Sequence, residues 1–402
     1  MYAAPGLVYF CALASVHVSA WMLPGKRTID ATTFDTNQLI DVTGAHAFVE
    51  AGPNDFRGPC PGLNALANHN YIPHHGVVSI EQAILAATEV FGMGLDFATG
   101  AGVLALYGAN LLDVPFFEFS IGGPPGGILG GILGAPTGLS GTHNQFESDS
   151  SPTRCDLYEC GDNYSVQPDA FQGLLDLIGK NPDPSRNLDI LIQHRVARLQ
   201  HSKANNPYFF YGPIEMLASN LATVIIGGAM TNHSAADPDG FFSVDGLSSL
   251  YGVSRGPDGL RYSRNERIPS SWYRRPLNDP YLAITHALPD MLHMWAEYPE
   301  TVLIGGNTGE VDSFVPIDIT NLTGGVYSAA SLLEGNNAIC FAFQFLQLAF
   351  PDIVSNLEDL VAEILKQLAE TVEPLECPEF ETLGLESLSK YPGYTRSVKR
   401  SV

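Results

Sequence analysis

Apolar residues recur at three- and four-residue spacing along several long segments, which is the pattern of amphipathic α-helices. Residues 79–91 and 103–112 form two such segments, separated by a break that contains glycine. The same spacing predicts helices at 171–178, 188–202, 213–226, 282–297, 329–348 and 353–368. Few segments alternate as β-strands do. The pattern therefore predicts a mainly α fold whose helices are joined by long loops rich in glycine and proline.

The longest of these loops is predicted at 121–141, which reads IGGPPGGILGGILGAPTGLSG. Glycine and proline interrupt this segment throughout, so it cannot hold a regular helix. Two interpretations stay open. The loop is either a flexible rim over a substrate channel or a surface insertion that joins two helices.

The first twenty residues contain no Asp, Glu, Lys or Arg, and their apolar run at 7–18 is too short to span a bilayer. They end in small residues, as a signal-peptidase site does. We expect secretion, with an uncleaved or cytosolic N-terminus as the alternative because no basic residue precedes the apolar run. The predicted organisation is a signal peptide at 1–20, an N-terminal extension at 21–55, one domain at 56–380 and a C-terminal tail at 381–402 that is frayed beyond Lys390.

The net charge of −23 repels phosphate backbones and anionic lipid surfaces, so the sequence argues against nucleic acid and membrane partners. A hydrophobic content of 45% in 402 residues is enough for a large core. Asn163, Asn232 and Asn321 each begin an Asn-x-Ser/Thr sequon, which fits a secreted glycoprotein.

The cysteine count is odd once Cys11 leaves with the signal peptide, and an oxidising compartment then leaves one thiol unpaired. The five that stay are Cys60, Cys155, Cys160, Cys340 and Cys377. Cys155 and Cys160 are close enough in sequence to close a small loop, and Cys340 can pair with Cys377, although five thiols allow many pairings. In this arrangement Cys60 is the free cysteine.

Cys60 lies between Pro59 and Pro61, at the predicted start of a short helix. Free backbone N–H groups and the helix dipole stabilise an anion there, so we expect a lowered thiol pKa, with the amides of residues 63–65 as candidate donors. A thiolate is the form in which cysteine binds iron. Taken alone, the tripeptide is weak evidence and favours a structural or disulfide cysteine.

The longer segment 57–73, RGPCPGLNALANHNYIP, resembles the Pro-Cys-Pro segment of the fungal haem-thiolate peroxidases, the family of chloroperoxidase and unspecific aromatic peroxygenase. Segments at 266–276, 304–314 and 322–344 are similar to the long branch of that family. The resemblance implies one haem-binding helical domain of chloroperoxidase type, with Cys60 as the axial ligand of haem b. It outweighs a zinc site at the nearby histidines, which have no cysteine or carboxylate at ligand spacing.

The segment 146–154, FESDSSPTR, is rich in the hard oxygen donors that suit Mg²⁺, although an ordinary helix-capping loop would look similar. It resembles the cation motif of the same family. By that resemblance Glu147, the backbone carbonyl of Ser148 and the hydroxyl of Ser151 hold Mg²⁺ or another divalent cation beside a haem propionate. Ser148 stands where chloroperoxidase-type members carry a distal histidine, so this motif is not expected to supply one.

Long members of the family place a distal glutamate downstream of an Asn-Pro pair, with an arginine seven residues before it. Counted from Asn206-Pro207, the glutamate position falls on Ala222 and the arginine position on Glu215. The usual pair is absent. Glu215 lies two helical turns before Ala222 on the same face, so it is the candidate catalytic acid–base; its alternative role is to complement the dipole of its own helix.

These residues together imply peroxide-dependent oxidation, with hydrogen peroxide and a small organic molecule as substrates. Oxidation of halides is less expected without a distal histidine. The alternative is a haem-binding protein whose activity is lost or specialised in secondary metabolism, because the distal glutamate and arginine are missing. A haem-free acidic scaffold would require Cys60 to pair with another cysteine.

Overall fold

The computed structural model describes residues 34–108, 118–125, 137–144, 147–181, 183, 187–335, 337–349, 377–381 and 383–394. Its α-helices are α1 (Pro61–Asn68), α2 (Ile80–Phe91), α3 (Leu95–Gly108), α4 (Leu157–Cys160), α5 (Pro168–Lys180), α6 (Asn187–Asn205), α7 (Pro213–Ala229), α8 (Val244–Leu250), α9 (Leu288–Glu297), α10 (Ile319–Leu322) and α11 (Asn337–Ala349). Short strands connect them: β1 (Val77–Ser79), β2 (Glu118–Ser120), β3 (Phe210–Tyr211), β4 (Val253–Gly256), β5 (Gly259–Tyr262), β6 (Gly305–Gly306) and β7 (Val315–Pro316).

The mainly α prediction is confirmed, and α2, α5, α6 and α7 lie where the apolar spacing placed helices. The segment 282–297 divides into a π-helical turn, Ala283–Ala287, followed by α9. Pro289 lies in the first turn of α9, where its missing N–H costs no hydrogen bond. Helix α11 begins later than predicted, just after Gly335, which has a φ of +54°. The helix predicted at 353–368 lies outside the described residues.

The strands form three small antiparallel sheets, β1–β2, β3–β6–β7 and β4–β5. The β4–β5 hairpin is the longest pairing, with Val253 opposite Tyr262. The chain leaves this hairpin toward Glu266, which is fully buried. The hairpin therefore delivers a carboxylate to the interior next to α1.

The helices α5, α6 and α7 form one set of neighbours and α1, α2 and α3 another, and both sets contribute buried residues to one hydrophobic core. Helix α6 contacts both α5 and α7, and α2 contacts both α1 and α3. Six of the eight residues of α1 are buried. A short helix that is buried on most of its surface is held by its neighbours rather than by its own propensity.

Both predicted disulfides are present, Cys155–Cys160 and Cys340–Cys377. Of the cysteines within the described ranges, Cys60 forms no disulfide. The prediction that Cys60 is the unpaired thiol is therefore confirmed, and a haem-free scaffold that uses Cys60 in a disulfide does not fit this fold.

The C-terminal segment is ordered further than expected. Tyr391 is fully buried, its ring lies 5.8 Å from that of Phe210, and the ring of Tyr394 lies 5.3 Å from the same phenylalanine. Asn144 donates a hydrogen bond to the Gly393 carbonyl at 3.2 Å. The prediction of fraying beyond Lys390 is wrong for 391–394, because aromatic packing anchors them.

Several predicted features lie outside the described residues: the signal peptide at 1–20, the central part of the glycine-rich loop at 126–136, and the tail at 395–402. Among the helices of the described ranges, none has the length and apolar character needed to cross a bilayer.

Gly228 tests the packing of α7 against the chain that precedes α9. A Cβ atom at Gly228 would lie 2.0 Å from the Tyr281 ring, whereas one at Gly100 in α3 would meet nothing within 4 Å. Alanine normally favours a helix over glycine by about 1 kcal/mol. We expect Gly228→Ala to lower the free energy of unfolding by about 1–3 kcal/mol through overpacking.

Gly100→Ala is the matched control, and it should leave the free energy of unfolding unchanged or raise it. Urea denaturation of both variants measures this difference. A Gly228→Ala variant as stable as Gly100→Ala would contradict the packing described here.

Candidate functional site

Cys60 is the residue that precedes α1, and its sulfur faces the free amides of the first turn. The sulfur makes no side-chain capping hydrogen bond to α1, but the backbone N–H groups of Leu63 and Gly62 are close enough to lower the pKa of the thiol. Leu63 belongs to the predicted set of donors, whereas Gly62 was not in it. Donors of this kind stabilise a thiolate and tune an iron that it binds. The environment therefore fits an axial sulfur ligand.

The thiol pKa nevertheless differs from the sequence prediction. Burial raises the pKa of Cys60, and this effect outweighs the two N–H donors and the nearby positive charge of Arg154, which lower it. The predicted lowering of the pKa is therefore wrong as a net effect. Burial penalises the anion more strongly than one helix end stabilises it.

The loop before Cys60 is held by two side chains. Asn64 accepts a hydrogen bond from the Gly58 N–H at 2.9 Å and donates one to the Gly58 carbonyl at 2.9 Å. Arg154 donates to the Pro59 carbonyl at 3.0 Å and also to the Tyr164 carbonyl. These bonds fix the backbone on the N-terminal side of the sulfur.

The predicted cation ligands lie in one short segment, and two of them already accept hydrogen bonds from other groups of the protein. Oε2 of Glu147 accepts hydrogen bonds from His143 at 2.9 Å and from Asn163 at 2.7 Å. The hydroxyl of Ser151 accepts the Arg154 N–H at 3.2 Å, while Ser148 is 8% exposed. In the part of the chain that the structure describes, no group of three or more His, Cys, Asp or Glu side chains is placed to hold a metal.

Asn163 is buried, and its amide also donates to the Ser140 carbonyl at 3.1 Å. A glycan attached to this nitrogen does not fit the folded protein, so the sequon at Asn163 does not support glycosylation at that position. Asn321, by contrast, is exposed.

His143 belongs to this site, although the sequence motifs did not identify it. It pairs with Glu147 at 2.9 Å and with Asp149 at 3.7 Å. Burial lowers the pKa of His143, but the carboxylates of Asp149 and Glu147 together outweigh burial and raise it to about 9. The cation motif draws attention to Ser148, the residue after Glu147. His143 instead lies four residues before Glu147. The available signal was the charge complementarity between His143 and the two carboxylates.

Asp149 and Asp156 form the acidic side of the same cluster. Asn206 donates to Asp149 at 2.7 Å and to Asp156 at 3.1 Å. Burial and the neighbouring Asp156 raise the pKa of Asp149. The asparagine of the Asn206-Pro207 pair therefore bridges two carboxylates of the cluster.

Glu215 is buried at the start of α7, where its own backbone N–H and that of Gly212 act to lower the pKa of its carboxyl. This position fits the predicted alternative, in which Glu215 complements its own helix. Burial raises the pKa of Glu215 to about 8, and the charges of His143 and Glu147 also act on it. Glu215 therefore belongs to the same electrostatic cluster as His143, and its catalytic role stays a prediction.

A buried arginine reaches α7 from the neighbouring helix α6. Arg195 donates to the carbonyl and hydroxyl of Ser150 at 2.9 and 2.8 Å, and to the hydroxyl of Ser219 at 2.8 Å. Ser219 lies one turn after Glu215 on α7. Helix α7 itself contains no arginine, but Arg195 of α6 places a positive charge beside it.

This chain is similar in sequence to known proteins. Residues 46–277 match the family model described as Peroxidase, family 2. The chain is 38% identical over 368 residues to the dothistromin biosynthesis peroxidase dotB of Dothistroma septosporum, covering 89% of this chain and 87% of that protein. It is also 38% identical over 375 residues to the aromatic peroxidase fscJ of Fusarium equiseti, covering 88% and 84%.

A more distant relative is the aromatic peroxygenase of Cyclocybe aegerita, which is 32% identical over 225 residues, covering 53% of this chain and 57% of that protein. The family match includes Cys60, the cation segment and Glu215.

The raised pKa of Glu215 predicts a pH-dependent cost to stability. An exposed glutamate has a pKa of about 4.3, so the unfolded chain releases this proton before the folded one does. The wild-type protein should therefore lose stability relative to Glu215→Gln as pH rises from about 5 to about 8, by about 1.4 kcal/mol per pH unit.

Denaturation curves of the two proteins at pH 4, 6 and 8.5 measure this effect. The stability difference should be constant below pH 4 and constant again above pH 8. A difference that does not vary with pH would show that Glu215 ionises as an exposed carboxylate does.

Proposed function

This chain belongs to the fungal haem-thiolate peroxidases of the chloroperoxidase family, and we propose that Cys60 is the axial ligand of its haem b. It is a peroxidase, and therefore an oxidoreductase. Family membership implies haem as cofactor, and hydrogen peroxide and an organic molecule as substrates. When bound, the haem supplies the oxidation chemistry, which an electron-donating thiolate promotes.

The observation that carries this proposal is the state of Cys60. The four other cysteines within the described ranges are paired, while Cys60 is free and the backbone N–H groups of Leu63 and Gly62 favour its thiolate form. A structural cysteine has no need of such donors. An iron-binding thiolate does, because each N–H offsets part of the cost of burying the anion.

We further propose that Glu215 is the acid–base, assisted by His143. In its ionised form Glu215 takes a proton from hydrogen peroxide and returns it to the oxygen that leaves as water. A carboxyl with a pKa of about 8 holds a proton at neutral pH. The first transfer therefore becomes faster as pH rises toward 8, where the ionised fraction increases. His143, whose pKa is about 9, places a positive charge close to that carboxylate.

A divalent cation, Mg²⁺ by preference, is proposed beside the haem propionate. Its ligands would be Glu147, the carbonyl of Ser148 and the hydroxyl of Ser151. His143 and Asn163 bind Oε2 of Glu147, so Oε1 is the oxygen proposed to face the cation. The support is the chemistry of the donors, since hard oxygen atoms are the ligands that Mg²⁺ prefers.

The relatives that cover most of this chain suggest the kind of substrate. One is named for dothistromin biosynthesis and the other as an aromatic peroxidase. We propose that this protein oxidises a small aromatic molecule within a biosynthetic route, which corresponds to a specialised activity. Secretion is proposed from the N-terminal sequence, and two disulfides support it because they persist in oxidising compartments.

Rapid mixing of the haem-loaded protein with hydrogen peroxide tests the role of Glu215. We expect the haem absorbance of the wild-type protein to change quickly, at a rate that rises with pH up to about 8. Glu215→Gln should slow this change by about 10²-fold or more and remove its pH dependence, since general acid–base catalysis contributes about 10²–10⁴-fold.

Glu159→Gln is the matched control, because Glu159 is a carboxylate that pairs with His201. It should react as the wild-type protein does. Wild-type rates in Glu215→Gln would assign proton transfer to another residue. No reaction with peroxide in the wild-type protein would contradict the proposed activity while leaving haem binding intact.

A further inference from the structure

We propose that Glu266 is a positioning residue for the iron ligand, and that its ion pair with Arg154 sets the electron-donating strength of the Cys60 sulfur. This inference rests on the proposed role of Cys60. It concerns a buried carboxylate that neither the cation motif nor the acid–base cluster uses.

Glu266 joins the two side chains that hold the cysteine loop. Its Oε1 accepts hydrogen bonds from Arg154 at 3.0 Å, from Asn64 at 3.0 Å and from Tyr262 at 2.9 Å. Asn64 holds both backbone groups of Gly58, and Arg154 holds the Pro59 carbonyl. One carboxylate oxygen therefore fixes both side chains that position the two residues before Cys60.

The network is assembled from distant parts of the chain and is closed to solvent. Glu266 lies 202 positions from Asn64 and 112 from Arg154 in sequence. Glu266 and Asn64 are 0% exposed and Arg154 is 2% exposed. The backbone carbonyl of Glu266 also accepts a hydrogen bond from Asn68, the last residue of α1. Glu266 therefore holds α1 at its middle and at its C-terminal end.

Glu266 and Arg154 also carry opposite charges beside the cysteine loop. Arg154 donates to the carbonyl of the residue before Cys60 and pairs with Glu266 at 3.0 Å. In a buried environment the field of such charges is weakly screened. The ion pair therefore brings a guanidinium to the Pro59 carbonyl while Glu266 balances its charge. Removal of Glu266 alone would leave an uncompensated cation beside the thiolate, which withdraws electron density from the sulfur.

Oε2 of Glu266 is buried and has no hydrogen-bond partner among the described residues. A purely structural ion pair gains from using both carboxylate oxygens. The unpaired Oε2 leaves part of the carboxylate without a hydrogen bond inside this buried network. This arrangement fits a carboxylate that tunes the ligand as well as anchoring it.

The test is the midpoint potential of the ferric–ferrous couple in the haem-loaded protein. Glu266→Gln keeps the size and one acceptor oxygen but removes the charge, so the potential should move to a more positive value. Asp258→Asn also removes one negative charge, at the exposed tip of the β4–β5 hairpin that precedes Glu266. Because solvent screens this charge, the substitution should leave the potential unchanged. Equal potentials for Glu266→Gln and the wild-type protein would overturn the proposal.

A second variant provides the test if Glu266→Gln binds haem poorly. The double variant Arg154→Gln/Glu266→Gln removes both charges and should have a potential closer to wild type than either single change. For any variant that purifies without haem, amide hydrogen exchange at Gly58 is the readout, because Asn64 accepts the Gly58 N–H and Glu266 holds Asn64. This amide should exchange faster in Glu266→Gln than in haem-free wild-type protein; an equal rate would overturn the proposal.

Failure of the proposed function gives a different result. The absorption spectrum of the ferrous carbonyl complex reports whether the axial ligand is a thiolate. A wild-type protein without a thiolate spectrum would contradict the role of Cys60 itself. A thiolate spectrum in the wild-type protein, combined with an unchanged potential in Glu266→Gln, would contradict the role of Glu266 alone.

Discussion

A sulfur anion in a protein interior must be stabilised by hydrogen bonds and positive charge, because burial otherwise favours the neutral thiol. This constraint governs the proximal half of the structure. Two backbone N–H groups in the first turn of α1 and the positive charge of Arg154 favour the anionic form of Cys60. Burial still raises the thiol pKa, so the protein alone does not compensate the anion fully. Iron binding would complete that compensation, since metal ligation deprotonates a thiol.

The segment 147–164 connects the two halves of the site. Its beginning carries Glu147, which binds His143 and Asn163, and its middle carries Arg154, which holds the cysteine loop. One short segment therefore links the acid–base cluster to the proximal loop. The disulfide Cys155–Cys160 lies within this segment and restricts its backbone where both functions meet.

The sequence was sufficient for the parts of the structure that local pattern and short motifs determine. Apolar spacing predicted α2, α5, α6 and α7, and cysteine counting identified Cys60 as the unpaired thiol. It was insufficient where contacts join distant segments. Nothing in the local sequence pairs Glu266 with Asn64, and the sequon at Asn163 resembled a glycan site although its amide binds Glu147. His143 was missed because its role depends on two carboxylates folding around it.

Direct observation of the iron ligand tests the central claim of this account. Iron-edge X-ray absorption of the haem-loaded ferric protein measures the atoms bound to the metal. We expect one sulfur ligand in the wild-type protein and its loss in Cys60→Ser, with both disulfides intact in each. A first coordination shell of nitrogen and oxygen alone in the wild-type protein would contradict it.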